Sequence, residues 1–142
     1  MKKIRTMSIA LFLTLVLAIL SGTVAYASTL RASPTLNAYS AIITKGSSAG
    51  KIVITYDVAA NTIAESLGVS YMKIYTSGGS YVTTIHATSL NGFTTSGSGS
   101  HRNSYTYTGI SGTSYYAEVT VFATIGGVTD SRTITTNTVK AP

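Results

Sequence analysis

The residues able to carry chemistry are few, and their spacing decides how each can be read. Gly46-Ser47-Ser48-Ala49-Gly50 has the form G-x-S-x-G, and Ser70-Tyr71-Met72-Lys73 has the form S-x-x-K. The first is a nucleophile elbow only where a strand turns into a helix and lifts the serine above a parallel sheet. The residues after Gly50 alternate as a strand does, so the match reads as a Ser/Gly turn. The second needs one helical turn to return the lysine to the serine, whereas on a strand positions three apart face opposite sides. His86 and His101 are the only histidines, and Asp57, Glu65, Glu118 and Asp130 the only carboxylates. No spacing among the four acids favours the facing pair that glycoside hydrolysis requires. His101 beside Arg102 suits an anion, with a solvated loop as the plainer reading. Asp57 and Asp130 lack the dense run of ligands of a calcium loop. The absence of cysteine excludes disulfides, thiolate metal sites and a lipidated cysteine. The expectation is no catalytic residue, no metal and no cofactor, with a small hydrolase the least favoured reading.

The N-terminus sets the compartment. Lys2, Lys3 and Arg5 precede an apolar run from Ile9 to Leu20, broken only by Thr14, and Ala25-Tyr26-Ala27 follows. A basic stretch, an apolar stretch of this length and an A-x-A site form a secretory signal peptide over residues 1–27. The run falls short of the roughly 18 residues that span a bilayer. Cleavage after Ala27 leaves 115 residues, enough for one domain with a real core. Three cations leave with the signal, so seven basic residues face four acids, a net of +3. These charges are scattered, which argues against nucleic acid as a partner. No later run of spanning length follows, so no membrane insertion is expected after cleavage.

The mature chain must position whatever sites remain, and its pattern is that of strands. A disordered lead-in is expected over 28–34 and a β-domain over 35–142. Short runs of β-branched and aromatic residues recur between Gly, Ser and Asn breaks. The expected strands are 36–44, 51–59, 69–75, 81–87, 103–108, 114–124 and 129–139, the last two joined at Gly126-Gly127. Asn61 to Leu67 reads as a short helix with Asn61 as N-cap and Gly68 as its stop. Residues 88–102 read as a long loop with Leu90 and Phe93 its only large apolar residues. Seven strands in about 100 residues predict an all-β, antiparallel two-sheet sandwich. Ile52, Ile54, Tyr56 and Val58 form one inner layer. Met72, Ile74, Tyr115, Ala117, Val119 and Val121 form the other.

Alternation turns the remaining residues outward. Tyr71, Tyr75, Tyr116 and Phe122 then share the outer face of one sheet, a candidate binding face. The competing expectation is that Leu90 and Phe93 fold over them as a satellite core.

Gly109-Ile110-Ser111-Gly112-Thr113-Ser114-Tyr115-Tyr116-Ala117-Glu118-Val119 resembles the E–F corner of fibronectin type III domains. The resemblance implies that Tyr115 is a structural corner, its hydroxyl bonded to backbone upstream. The chain has Ser111 where that family usually has proline, and Tyr56 stands where it has a buried tryptophan. Tyr39-Ser40-Ala41, Gly50-Lys51-Ile52, Leu67-Gly68, Lys73-Ile74-Tyr75, residues 116–123 and Asp130-Ser131-Arg132-Thr133 resemble, in order, small secreted immunoglobulin-like proteins of Gram-positive bacteria. That likeness implies export and fold and is silent on activity. The function expected is a secreted, extracellular, non-enzymatic module binding a protein or glycan. The alternative is an envelope or matrix component that associates through sheet edges, which few charges and only two prolines would blunt.

Overall fold

Alternating burial along nine strands organises the described residues. The computed structural model describes residues 33–142. The signal segment, its cleavage site and the lead-in before Ser33 lie outside the described residues. The strands are β1 (Leu36–Lys45), β2 (Lys51–Ala64), β3 (Ser66–Thr76), β4 (Tyr81–His86), β5 (Thr94–Thr95), β6 (Ser98–Thr108), β7 (Ser114–Ile125), β8 (Val128–Thr135) and β9 (Val139–Lys140). No helix occurs among the described residues. One antiparallel sheet has the order β1-β2-β6. The second has the order β4-β3-β7-β8, with β5 paired to β3 and β9 to β7. β1 lies across from β7 and β8, and β6 across from β3. The arrangement is sandwich-like, and a single apolar core lies between the sheets.

Both layers read from the sequence face that core. Ile52, Ile54, Tyr56 and Val58 are buried on β2, and Met72, Ile74, Tyr115, Ala117, Val119 and Val121 on β3 and β7. Leu67, Val69 and Ala123 extend the second layer, and Ile43 caps the first. Leu67 and Val69 keep step with Met72 and Ile74 because the register slips between Val69 and Tyr71. A bulge of this kind admits one extra residue and re-aims the strand.

Three expectations are corrected. The helix over 61–67 does not form: β2 runs to Ala64 and β3 starts at Ser66. Thr62 and Ile63 are β-branched, and Asn61 is engaged elsewhere. Its Nδ2 donates to the carbonyls of Ser33 and Pro34 at 3.3 and 3.0 Å, and its N–H donates to Thr35. The same bonds tie down the described end of the lead-in. Gly68 stops no helix but lies within β3 at φ 141°. The loop over 88–102 is shorter than expected, because β5 and the first five residues of β6 fall inside it. The last expected strand is two pieces, β8 and β9, interrupted at Thr136–Thr138.

The turn before β7 is held by one side chain. Tyr115 is 2 % exposed, and its hydroxyl accepts a bond from the Ile110 N–H at 2.8 Å. A side chain on Gly109 would start 2.6 Å from that hydroxyl, so glycine lets the turn close on the ring. Tyr115→Phe keeps the ring and leaves the Ile110 N–H without its acceptor. A cost of about 1–3 kcal/mol is expected for such an orphaned donor. Urea unfolding of the variant measures it, and an unchanged midpoint would show that water replaces the hydroxyl at no cost.

Candidate binding face

β3 and β7 are the central strands of the larger sheet, and their register lines up the outward side chains in rows. Tyr75 pairs with Tyr81 on β4 and with Tyr116 on β7. Lys73 lies between Thr84 and Glu118 in the next row, and Tyr71 between His86 and Thr120 in the one after. Tyr75 and Tyr116 stack with centroids 5.2 Å apart and planes 11° from parallel. Rings lying flat on adjacent strands about 4.8 Å apart would collide, so these two stand upright and share a face. Tyr81, 59 % exposed, packs edgewise on the other side of Tyr75 at 5.9 Å.

The polar groups of the face are held in place. Tyr75 donates its hydroxyl proton to Glu118 Oε2 at 3.2 Å. Partial desolvation, and then the Glu118 carboxylate, push the Tyr75 phenol above its ordinary pKa, so it remains a donor. Lys73 leans the other way, its ammonium 5.6 Å from the Tyr71 ring centroid. Tyr71 in turn packs against His86 at 6.0 Å.

The structure thus brings Tyr75 and Tyr116 into contact and places Tyr71 four residues away on β3, two rows along the same face. Phe122 shares the face but pairs with Gly68 and Ser131 and makes no ring contact among the described residues. Tyr81 and His86 belong to the face and were missed. Their signal was present in the turn at Ser77-Gly78-Gly79, which makes β3 and β4 a hairpin and sets Tyr81 opposite Tyr75.

The expected cover does not form. Leu90 is 94 % exposed, and Phe93 is fully buried in the core. Phe93 meets Tyr56 at 6.0 Å and Tyr105 at 5.5 Å, both edge to face. It seals one flank of the core instead of lying over the tyrosine rows. Asn91 shapes the segment: its Oδ1 accepts from the N–H groups of Thr88 and Phe93, and its Nδ2 donates to the His86 carbonyl. The Gly92 carbonyl then accepts from Tyr56 at 3.0 Å, Asn103 at 2.8 Å and His101 Nε2 at 2.8 Å. The last contact requires the proton on Nε2. Burial pushes the Tyr56 phenol up to about 12, with the Asn103 hydrogen bond opposing it.

The other chemistry-bearing residues form pairs at most and no shared cluster among the described residues. Gly46 to Gly50 forms the β1–β2 turn, and the strand after it is β2. Ser70 bonds the Thr120 carbonyl while Lys73 lies over Tyr71. Asp57 faces Arg102 at 3.9 Å on the outer side of the smaller sheet. Beside it Ala38, Tyr39, Ser40 and Ala59 line an open depression of about 300 Å³. Glu65 accepts from the Gly127 N–H, and Asp130 pairs with Arg132 on β8. Among the described residues no three His, Asp or Glu side chains gather as metal ligands would. Compared with known proteins, the chain matches no family model, no curated protein and no solved structure.

Proposed function

We propose that the domain is a secreted, non-enzymatic binding module that engages an extracellular protein or glycan through the outer face of the larger sheet. One observation carries the reading: the Tyr81–Tyr75–Tyr116 row, above Lys73 and Glu118, is left uncovered by Leu90 and Phe93. Aromatic side chains in such a setting supply contact area at little entropic cost. The upright stacking weights the reading toward a protein. A sugar ring packs on an open aromatic face, and Tyr75 is flanked on both sides. Ring edges, phenol hydroxyls and a split pair of opposite charges suit a polypeptide surface. The strand order and the Tyr115 corner support an immunoglobulin-like or fibronectin type III-like assignment, and the basic-apolar-A-x-A start supports export.

Pull-down from extracellular fractions and glycan arrays, both with residues 28–142, would supply the ligand. Tyr75→Ala and Tyr116→Ala are each expected to weaken binding by about tenfold or more, as central aromatic anchors do. Both rings are partly exposed, so folding should survive. Unchanged affinity in both variants would remove the face from consideration.

A further inference from the structure

A sheet edge is open to another strand wherever its outward N–H and C=O groups lack partners. Among the described residues, three of the four long edge strands have such groups met by side chains at one or two points along their length. On β1 the Ile43 N–H donates to Asn137 Oδ1 and its C=O accepts from Asn137 Nδ2, both at 3.0 Å. On β8 the Ser131 N–H donates to Asp130 at 2.9 Å and its C=O accepts from Arg132 at 2.8 Å. On β6 the Ser98 hydroxyl serves both groups of Ser100, Asn103 takes the Ser104 N–H, and Arg102 places a charge between them. Only Thr106 and Thr108 at its far end stay clear of these caps.

β4 differs. The Ala87 N–H donates to Ser70 across the β3–β4 ladder. Alternation along an antiparallel pair therefore turns the N–H and C=O of Thr84 away from β3. Asn91 caps the His86 carbonyl at the strand's end, and among the described residues no side chain bonds the Thr84 backbone. Val82-Thr83-Thr84-Ile85 is an unbroken β-branched run without charge or proline. β4 also overhangs the smaller sheet, with β3 as its strand neighbour. Val82 and Ile85 are therefore only partly buried against the core.

We propose that two copies of this chain associate through β4, antiparallel about a two-fold axis at Thr84, so that their larger sheets join into one. A second copy fits because the strand is complementary to itself. Thr84 meets Thr84 of the other copy as a hydrogen-bonded pair, cross-strand threonines are favourable neighbours, and no charge on β4 opposes its own image. Pairing also extends cover over Val82 and Ile85. Six edge residues bury less than the roughly 800 Å² per partner of a standard interface, so the dimer is weak and concentration-dependent. It does not depend on the tyrosine face, and Tyr116→Ala leaves it intact.

The chain has no cysteine, so single-cysteine variants read the contact directly. A hydrogen-bonded antiparallel pair sets its Cα atoms about 5.5 Å apart, inside the range of about 4.4–6.8 Å that a disulfide spans. Under mild oxidation Thr84→Cys should form a linked dimer about tenfold faster than Ser131→Cys on a capped edge or Thr106→Cys on β6, because pairing raises the local thiol concentration. Thr84→Pro, which removes an N–H that β3 does not use, should abolish concentration-dependent sedimentation. Cross-linking at Thr84 no faster than at Ser131, faster linkage at Thr106, or a folded Thr84→Pro protein that still dimerises would each overturn the proposal. If the proline variant fails to fold, the cysteine rates decide alone.

Discussion

Replacing Phe93 by alanine is expected to lower folding stability by about 3–5 kcal/mol, the usual toll of deleting a buried aromatic ring. Phe93 is among the largest fully buried side chains, and it comes from a segment whose other large apolar residue, Leu90, is almost wholly exposed. The ring wedges between Tyr56 of β2 and Tyr105 of β6, joining the smaller sheet to a strand link of the larger one. Its own carbonyl accepts from the Val69 N–H at 2.8 Å, so ring and backbone grip opposite sheets. Truncation leaves a cavity that Tyr56, its hydroxyl bonded to the Gly92 carbonyl, is poorly placed to fill. Guanidinium unfolding should show the midpoint falling with little change in slope. A loss below about 1 kcal/mol, a typical surface or minor core change, would mean that the ring is not the anchor of its segment.

Phe93 also shows where the sequence stops being informative. The two inner layers were legible because a strand repeats every two residues, and Ile52-Val53-Ile54 through Val58 leaves no doubt about which side is apolar. The outward set, Tyr71, Lys73, Tyr75 and Tyr116, follows from the same parity. A single phenylalanine in a Ser/Gly-rich stretch has no period, so its direction cannot be read from neighbours. It has two places to bury, over the tyrosines or under β6, and only the three-dimensional path of the backbone chooses. Asn61 failed for a related reason. Its type suits a helix cap and a bonded strand end equally, and the partner that decides, the Ser33–Thr35 carbonyls, lies almost thirty residues away. The bulge at Val69/Tyr71 is likewise invisible in the pattern, since Leu67 and Val69 keep an internal alternation that simply changes phase before Met72.

Composition does not show where an edge is capped. Few charges and two prolines suggested edges free to pair, yet the caps are Asn137, Ser98, Asn103 and the Asp130–Arg132 pair. Short polar side chains bonding nearby backbone are common wherever Ser, Asn and Asp occur, so their types carry no mark of the task. What singles them out is that both outward groups of Ile43, Ser100 and Ser131 are met at once. Pairing confined to β4, as proposed, would restrict how copies can add. An open edge at one place per chain yields a closed pair, whereas two would allow filaments.

Gly68→Ala should be nearly as damaging as the loss of Phe93 while removing no buried atom. At φ 141° the backbone of Gly68 lies where side-chain-bearing residues are strained, a penalty of about 1–3 kcal/mol. The added methyl carbon would start 2.1 Å from the Phe93 carbonyl oxygen and 2.9 Å from the Thr94 Cα. Both are backbone, so neither can rotate aside. Relief requires β5 to leave β3, which breaks the Val69–Phe93 hydrogen bond and withdraws the ring from between Tyr56 and Tyr105. Because the two substitutions undo one contact, their costs should not add. Gly68→Ala in a Phe93→Ala background is expected to be milder than in the parent by about 1 kcal/mol or more, the size typical of directly coupled sites. A double-mutant cycle by chemical unfolding gives the value. Strict additivity would mean that the glycine serves only its own backbone geometry, and that Phe93 keeps its seat without the close approach at Gly68.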